Sequence, residues 1–274
     1  MMTVNPLTVV TLQMSIDSSL SQRVDRAKSL ISKAFNENGK GIYVLPEYYL
    51  AHLFPDPKDT VALAEAVPGP STYPFLEFAA STDSVVIVGL LERSEDHDHP
   101  YNTAAILGPE GVIGCYRKTH LWNLGPAKEA YRECKLFTSG QELRPYDIAG
   151  WKVGVMICGD GAFPETPITL ALKGADLIAY PNSRGRVWHE VEAATCASLI
   201  PIAVANPVGF NGVDQCRGTS RIVGPRGALL CSVEGEKEGW AAARLDLNTI
   251  TEIKTTGCER RLRRPELYGI LVEE

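Results

Sequence analysis

The apolar positions of this chain alternate between two spacings. Residues 7–14 form a run rich in Val, Thr and Leu, the composition of a strand. Beyond Ser19 and Ser21, either of which can cap a helix, Val24, Ala27, Leu30, Ile31, Ala34 and Phe35 recur at helical intervals until Gly39 and Gly41 end the pattern. Residues 42–45 are short and apolar, a buried strand stopped by Pro46. Pro68-Gly69-Pro70 is a break. Residues 72–80 predict a helix, and 84–91, 103–107 and 112–117 predict consecutive strands. Pro109-Glu110-Gly111 supplies the turn between the last two.

The second half repeats this logic. Residues 152–157 predict a strand, 164–173 a helix, and 176–180 a strand that ends at Pro181-Asn182. Residues 188–199 predict a helix, 201–206 a strand, and two further strands flank Pro225-Arg226-Gly227. Residues 42–47 and 177–182 are alike, each an apolar strand that delivers a polar residue, Glu47 or Asn182, just past a proline. The alternation implies an α/β layered fold with antiparallel hairpins mixed into the sheet. The pattern contains no linker, so residues 1–274 are taken as a single domain whose tail, from about residue 257, is basic and irregular.

Bulk properties remove several function classes. The net charge of −6 disfavours a general nucleic-acid binder, which needs a cationic surface. No apolar run reaches the ~18 residues that a membrane-spanning helix requires. Residues 1–6 lack a basic segment followed by an apolar run, so no secretory leader is expected. The seven cysteines (Cys115, Cys134, Cys158, Cys196, Cys216, Cys231 and Cys258) are scattered and include no C-x-x-C pair. Neither a disulfide framework nor a zinc cluster is indicated, and a cytoplasmic location is expected.

Three polar residues stand where predicted strands end: Glu47, Lys118 and Cys158. In open α/β sheets, ligands bind outside the carboxyl ends of strands. Taken singly, each has a plain explanation: a surface carboxylate, a solvated strand end, a small core thiol. Taken together they are a base, an anion stabiliser and a nucleophile. Gly159 and Gly161 let backbone amides approach whatever the sulfur attacks. A helix starting near Pro164 would favour a thiolate at Cys158. Other clusters are weaker. Glu95-Asp96-His97-Asp98-His99 has the composition of a solvated hairpin loop rather than a metal site. Arg260-Arg261-Leu262-Arg263-Arg264 is a charge run suited to an acidic surface such as one on a partner subunit.

Leu45-Pro46-Glu47, Tyr116-Arg117-Lys118-Thr119-His120-Leu121 and Ile157-Cys158-Gly159-Asp160, in that order, resemble the three signatures of the nitrilase superfamily, the carbon–nitrogen hydrolases. Phe163-Pro164-Glu165, Lys173-Gly174-Ala175-Asp176, Ala205-Asn206-Pro207-Val208-Gly209 and Gly218-Thr219-Ser220 extend the likeness along nearly the whole chain. The resemblance implies an α-β-β-α sandwich and a Glu47-Lys118-Cys158 triad, without metal or organic cofactor. It places a second glutamate at Glu133, seven residues before Gly140, with Glu129 as a nearby competitor. It also implies a homo-oligomer, at least a dimer. Gly159 departs from relatives with a bulky residue there and is expected to leave one pocket wall open. Ala194-Thr195-Cys196-Ala197-Ser198 lacks the patterns common on a helix that often packs between subunits.

The function expected from this resemblance is an amidase acting on a small linear, non-peptide amide. Cys158-Gly159-Asp160-Gly161 is similar to the sequence around the nucleophile of aliphatic amidases. Hydrolysis of an N-carbamoyl amine or amino acid, a nitrilase activity, and a non-catalytic binding protein on the same scaffold stand as alternatives. Tyr48, Tyr49, Trp122, Asp160, Phe163, Asn182 and Arg184 are the candidate substrate-binding residues.

Overall fold

The computed structural model describes residues 6–17, 19–51, 57–96, 98–123, 132–187 and 189–273. The first half contains β1 (Pro6–Gln13), α1 (Leu20–Asn38), β2 (Ile42–Val44), α2 (Pro57–Val61), α3 (Tyr73–Thr82), β3 (Val85–Glu92), β4 (Tyr101–Gly108) and β5 (Gly111–Arg117). Next come α4 (Glu133–Leu136), β6 (Pro145–Ile148), β7 (Trp151–Val155), α5 (Glu165–Leu172), β8 (Leu177–Pro181), α6 (Glu190–Ser198) and β9 (Ile202–Ala205). Then β10 (Val208–Phe210), β11 (Gln215–Arg217), β12 (Arg221–Val223), β13 (Leu229–Ser232), β14 (Gly239–Asp246), α7 (Leu247–Thr256) and α8 (Cys258–Arg261) follow.

One six-stranded sheet has the order β14-β1-β2-β3-β4-β5, and the other β13-β12-β9-β8-β7-β6. The centre of each is parallel. Val9 lies opposite Ile42 and Ile42 opposite Val85 in the first; Val153 lies opposite Leu177 and Ile178 opposite Ile202 in the second. Strands covered on both faces need apolar residues at every position, which is why β2 is apolar throughout. Alternate side chains then divide the core. Val9, Ile42, Val44 and Ile87 meet Val153, Val155 and Leu177 between the sheets. Val10, Tyr43, Val86 and Val88 pack outward against Ala27, Ile31 and Ala34 of α1 and Phe75 of α3. Leu170, Ala171, Val191 and Ala194 of α5 and α6 cover the second sheet. The result is the α-β-β-α sandwich.

Local chemistry sets the element ends. Ser19 caps α1: its hydroxyl accepts from Gln22 N, and Gln22 Oε1 accepts from Ser19 N at 3.1 Å, a capping box. Pro109 and Glu110 form the tight link between β4 and β5, as their composition predicts. Cys158–Ala162 forms a 3-10 turn before α5, so the nucleophile candidate is separated from that helix. The tail is more regular than expected. After α8 it makes 3-10 turns at Pro265–Leu267 and Gly269–Val272, and Arg260 donates to Ala171 O at 3.0 Å. No helix of the described residues is long and apolar enough to cross a membrane.

Candidate active site

The ends of β2, β5 and β7 bring Glu47, Lys118 and Cys158 to one edge of the sandwich. Two backbone features place Glu47. Its N–H donates to Asn182 O at 3.0 Å, joining the two look-alike strand ends across the sheets. Gly89 on β3 lies beneath it, and a Cβ there would stand 2.6 Å from Pro46 O and 2.7 Å from Glu47 Cα. Glycine is what lets that loop approach so closely. Lys118 is set by its N–H, which donates to Asn102 O at 2.9 Å, and by its carbonyl, which accepts from Gly140 N at 2.8 Å.

Lys118 Nζ lies 2.9 Å from Glu47 Oε1 and 2.8 Å from Glu133 Oε1, and its side chain is 0% exposed. Asn102 Nδ2 donates to the same Glu47 oxygen at 2.8 Å. Glu133 is held in turn by Tyr48 Oη at 2.8 Å and Trp122 N at 2.6 Å. Burial raises the Glu47 pKa above its ordinary value, against the opposing pull of Lys118. Burial would lower Lys118, but the carboxylates of Glu133 and Glu47 overcome it and keep the ammonium charged well above its ordinary range. Glu129 lies outside the described residues.

Cys158 opens its turn with φ at 39°, a left-handed conformation uncommon for a side chain with a Cβ. Tyr180 Oη donates to Cys158 O at 2.6 Å and helps hold that conformation. Burial, first, and the nearby Glu47 carboxylate push the thiol pKa up, while Lys118 and Arg184 pull it down less. Burial therefore opposes the thiolate that a helix N-terminal field would favour. Gly159 also differs from expectation. A Cβ there would lie 2.9 Å from His120 O and 3.5 Å from Trp122, so the glycine admits a close-packed loop rather than opening a wall.

A cavity of about 620 Å³ opens over these residues, lined by Glu47, Glu133, Cys158 and Gly159 on its reactive side. Of the candidate substrate-binding residues, Tyr48, Trp122 and Arg184 line it. The others do not. Tyr49 is fully buried on the far side, its Oη donating to Arg23 O at 3.2 Å. Asn182 is buried and donates to Tyr180 O. Phe163 stacks on His120 with ring centroids 4.2 Å apart. Asp160 is fully buried, with five groups within reach of its carboxylate: Ile157 N, Tyr116 Oη, Thr119 Oγ1, His120 N and His120 Nδ1, all at 2.7–2.9 Å. It braces the loop after Lys118 against the turn at Cys158 and does not face the cavity. Sequence reading missed Leu136 and Phe137, which follow Glu133, and Ser183, Arg186, Asn211, Asp214 and Arg217, which also line the cavity. Among the described residues no group of three or more His, Cys, Asp or Glu side chains could hold a metal ion.

A sandwich of two such sheets, with an acid, an amine and a thiol at its strand ends, defines the class of the nitrilase fold. Residues 8–255 match the family model described as carbon–nitrogen hydrolase, and the chain belongs to that family. It is 33% identical over 227 residues to a nitrilase of Pyrococcus abyssi, covering 81% of this chain and 82% of that protein. It is 30% identical over 272 residues to the omega-amidase NIT2 of Homo sapiens, covering 94% and 95%. In structure it is similar to a carbon–nitrogen hydrolase from Helicobacter pylori, with a TM-score of 0.86, 23% identity and coverage of 98% of this chain and 99% of that one.

Proposed function

We propose that the protein is an amidase that hydrolyses a small non-peptide amide through a thioester on Cys158. The observation that carries this reading is the placement of Lys118 Nζ between Glu47 and Glu133, beside the cavity that holds the thiol. Glu47 takes the thiol proton as sulfur attacks the carbonyl carbon. This suits a thiol whose own acidity is suppressed by burial and a carboxylate whose basicity is raised by it. An ammonium has three N–H donors; two of those on Lys118 meet the carboxylates, and the third serves the developing oxyanion together with backbone N–H of Gly159. Glu47 returns its proton to the leaving nitrogen, the C–N bond breaks, and ammonia departs. Water then attacks the thioester, Glu47 takes its proton, the C–S bond breaks and the thiol is regenerated.

Glu133 orders this centre from the far side, bonded to Lys118, Tyr48 and the backbone at Trp122. A nitrile would give a thioimidate, whose nitrogen needs a proton donor. The N–H that Lys118 has left beyond its two carboxylate bonds suits an oxyanion, which attack on an amide forms and attack on a nitrile does not. Ammonia release from matched amide and nitrile pairs tests the reading. Amides are turned over faster; faster release from the nitriles would reject it.

A further inference from the structure

The two glycines of Cys158-Gly159-Asp160-Gly161 meet different neighbours. Gly159 packs beneath the loop that carries Lys118. Gly161 meets β8 instead, where an added Cβ would stand 2.5 Å from Tyr180 Cζ and closer still to its oxygen. Gly161 lies outside the cavity lining, and its bare Cα makes room for a phenol. That phenol is firmly based. Tyr180 is fully buried on a central strand, opposite Val204 of β9. On the other side of β8, Ala179 O accepts from Met156 N at 3.2 Å, just past β7. Tyr180 O accepts from Asn182 Nδ2 at 2.9 Å. From this base the hydroxyl reaches Cys158 O at 2.6 Å.

A single peptide plane links that hydroxyl to the chemistry. The carbonyl of Cys158 and the N–H of Gly159 belong to the same planar trans peptide, so they point in opposite directions. Cys158 and Gly159 line the cavity, whereas Tyr180 is fully buried and outside the lining. A hydroxyl that holds the carbonyl from the buried side therefore turns the N–H away from itself, toward the cavity. The plane needs such a hold. Cys158 has φ at 39°, and a residue with a Cβ stays in that region only where its surroundings impose it. Asp160 fixes the entry to the turn: its carboxylate accepts from Ile157 N at 2.8 Å, and its own N–H donates to Ile157 O at 2.9 Å. Both of these bonds hold the chain at Ile157. The bond from Tyr180 acts on the peptide after Cys158.

We infer that Tyr180 is a positioning residue, whose hydroxyl aims the Gly159 N–H at the oxyanion formed when Cys158 attacks a carbonyl. This rests on the thioester reading and names what orients one of its two oxyanion donors. Tyr180 acts through the peptide, so its loss is selective. A reaction of Cys158 that builds negative charge on a carbonyl oxygen slows; one that builds none does not.

Two reagents separate these cases in the intact protein. With p-nitrophenyl acetate, sulfur adds to the carbonyl carbon through an oxyanion and the thiol proton passes to Glu47. The C–O bond then breaks and p-nitrophenolate leaves. Methyl methanethiosulfonate has no carbonyl: the Cys158 sulfur bonds to its thiomethyl sulfur, the reagent's S–S bond breaks, and methanesulfinate leaves. Both rates are followed on the Cys158 peptide by mass, with Cys158→Ala as the blank. In Tyr180→Phe, which keeps the ring, acylation is expected to slow by about tenfold or more, part of the roughly hundred- to thousandfold loss that removing an oxyanion donor outright causes. Thiolation stays within about twofold of the unaltered enzyme. Gly161→Ala, whose Cβ must displace the hydroxyl, is expected to give the same split, and it carries the test if Tyr180→Phe does not fold. Acylation unchanged within about twofold, or acylation and thiolation falling in equal proportion, would overturn the inference while leaving the thioester intact. Absence of Cys158 acylation in the unaltered enzyme would reject the thioester reading, and the inference with it.

Discussion

Asp160 Oδ1 accepts the backbone N–H of His120 at 2.9 Å, and Asp160 Oδ2 accepts that of Ile157 at 2.8 Å. One carboxylate thus spans the strand exit that carries Lys118 and the turn that carries Cys158. Tyr116 Oη and the His120 ring are bonded to it as well, and these bonds hold its pKa below the ordinary carboxylate value despite burial. The ring bond requires the proton on His120 Nδ1.

Replacing that carboxylate by an amide keeps the shape and turns an acceptor into a donor facing donors. Asp160→Asn is expected to lower kcat by about ten- to a hundredfold with a smaller change in KM, because buried hydrogen bonds to a charged group contribute about 1.5–3 kcal/mol. Steady-state kinetics and chemical denaturation measure both sides. An unchanged kcat would show that the bridge does not position the reacting groups.

Asn102 tunes the base. Its amide donates to Glu47 Oε1, and this bond lowers the Glu47 pKa that burial raises. In the proposed mechanism Glu47 acts in its ionised form, so kcat/KM is lost as pH falls through its pKa, which lies above the ordinary 4.5. In Asn102→Ala the acid limb is expected to move to higher pH, because the bond that lowers the Glu47 pKa is lost. A pH profile of kcat/KM reads this; an acid limb that stays in place or moves to lower pH contradicts it.

Alkaline stability follows from the buried thiols and phenols. Burial pushes Cys115 and Cys216 from 9.0 up to about 12, and Tyr43 and Tyr146 from 10.0 up to about 12. Each group therefore keeps its proton in the folded chain at a pH where the unfolded chain has lost it. The stability it contributes is complete below the unfolded pKa and is lost as pH rises from there through the folded value. Melting temperature is expected to hold up to about pH 9 and to fall steadily between pH 9 and 12. Thermal melts across that range check it, and a flat profile would show that these groups are not buried in the folded chain.

Gly159→Ala tests the close packing beneath Cys158. The added Cβ would lie 2.9 Å from His120 O, which must move, and with it the loop that carries Lys118. The expected result is a loss of kcat of about tenfold or more in a protein that still melts cooperatively. Full activity would mean that the loop yields without disturbing the ammonium.

How far the sequence could be read follows its physical signals. The exits of β2, β5 and β7 were legible because an apolar run stopping at a lone polar residue marks a strand end, whatever lies around it. The same signal could not say which way side chains turn beyond the exit. Tyr48 has φ at 54° and lines the cavity, while Tyr49 next to it turns into the core. Asp160 was legible as part of the site but not as a brace, since all of its partners except Ile157 N come from a segment about 40 residues earlier. β14 has no local period that sets it apart, and it is defined by pairing with β1 across the length of the chain, Pro6 opposite Asp246. The β10–β11 ribbon has three residues per strand, too short to show alternation, so Asn211, Asp214 and Arg217 carry no readable signal.

The central claim is a thioester on Cys158, and trapping it is the most direct measurement. A primary amide is mixed with the enzyme, quenched in acid within the first turnovers, and the intact and peptide masses are recorded. The account predicts a mass gain on the Cys158 peptide equal to that of the amide less ammonia, absent when Cys158→Ala or Glu47→Gln protein is used. Ammonia release at the normal rate from the Cys158→Ala protein, or an acyl group on another residue, would contradict it.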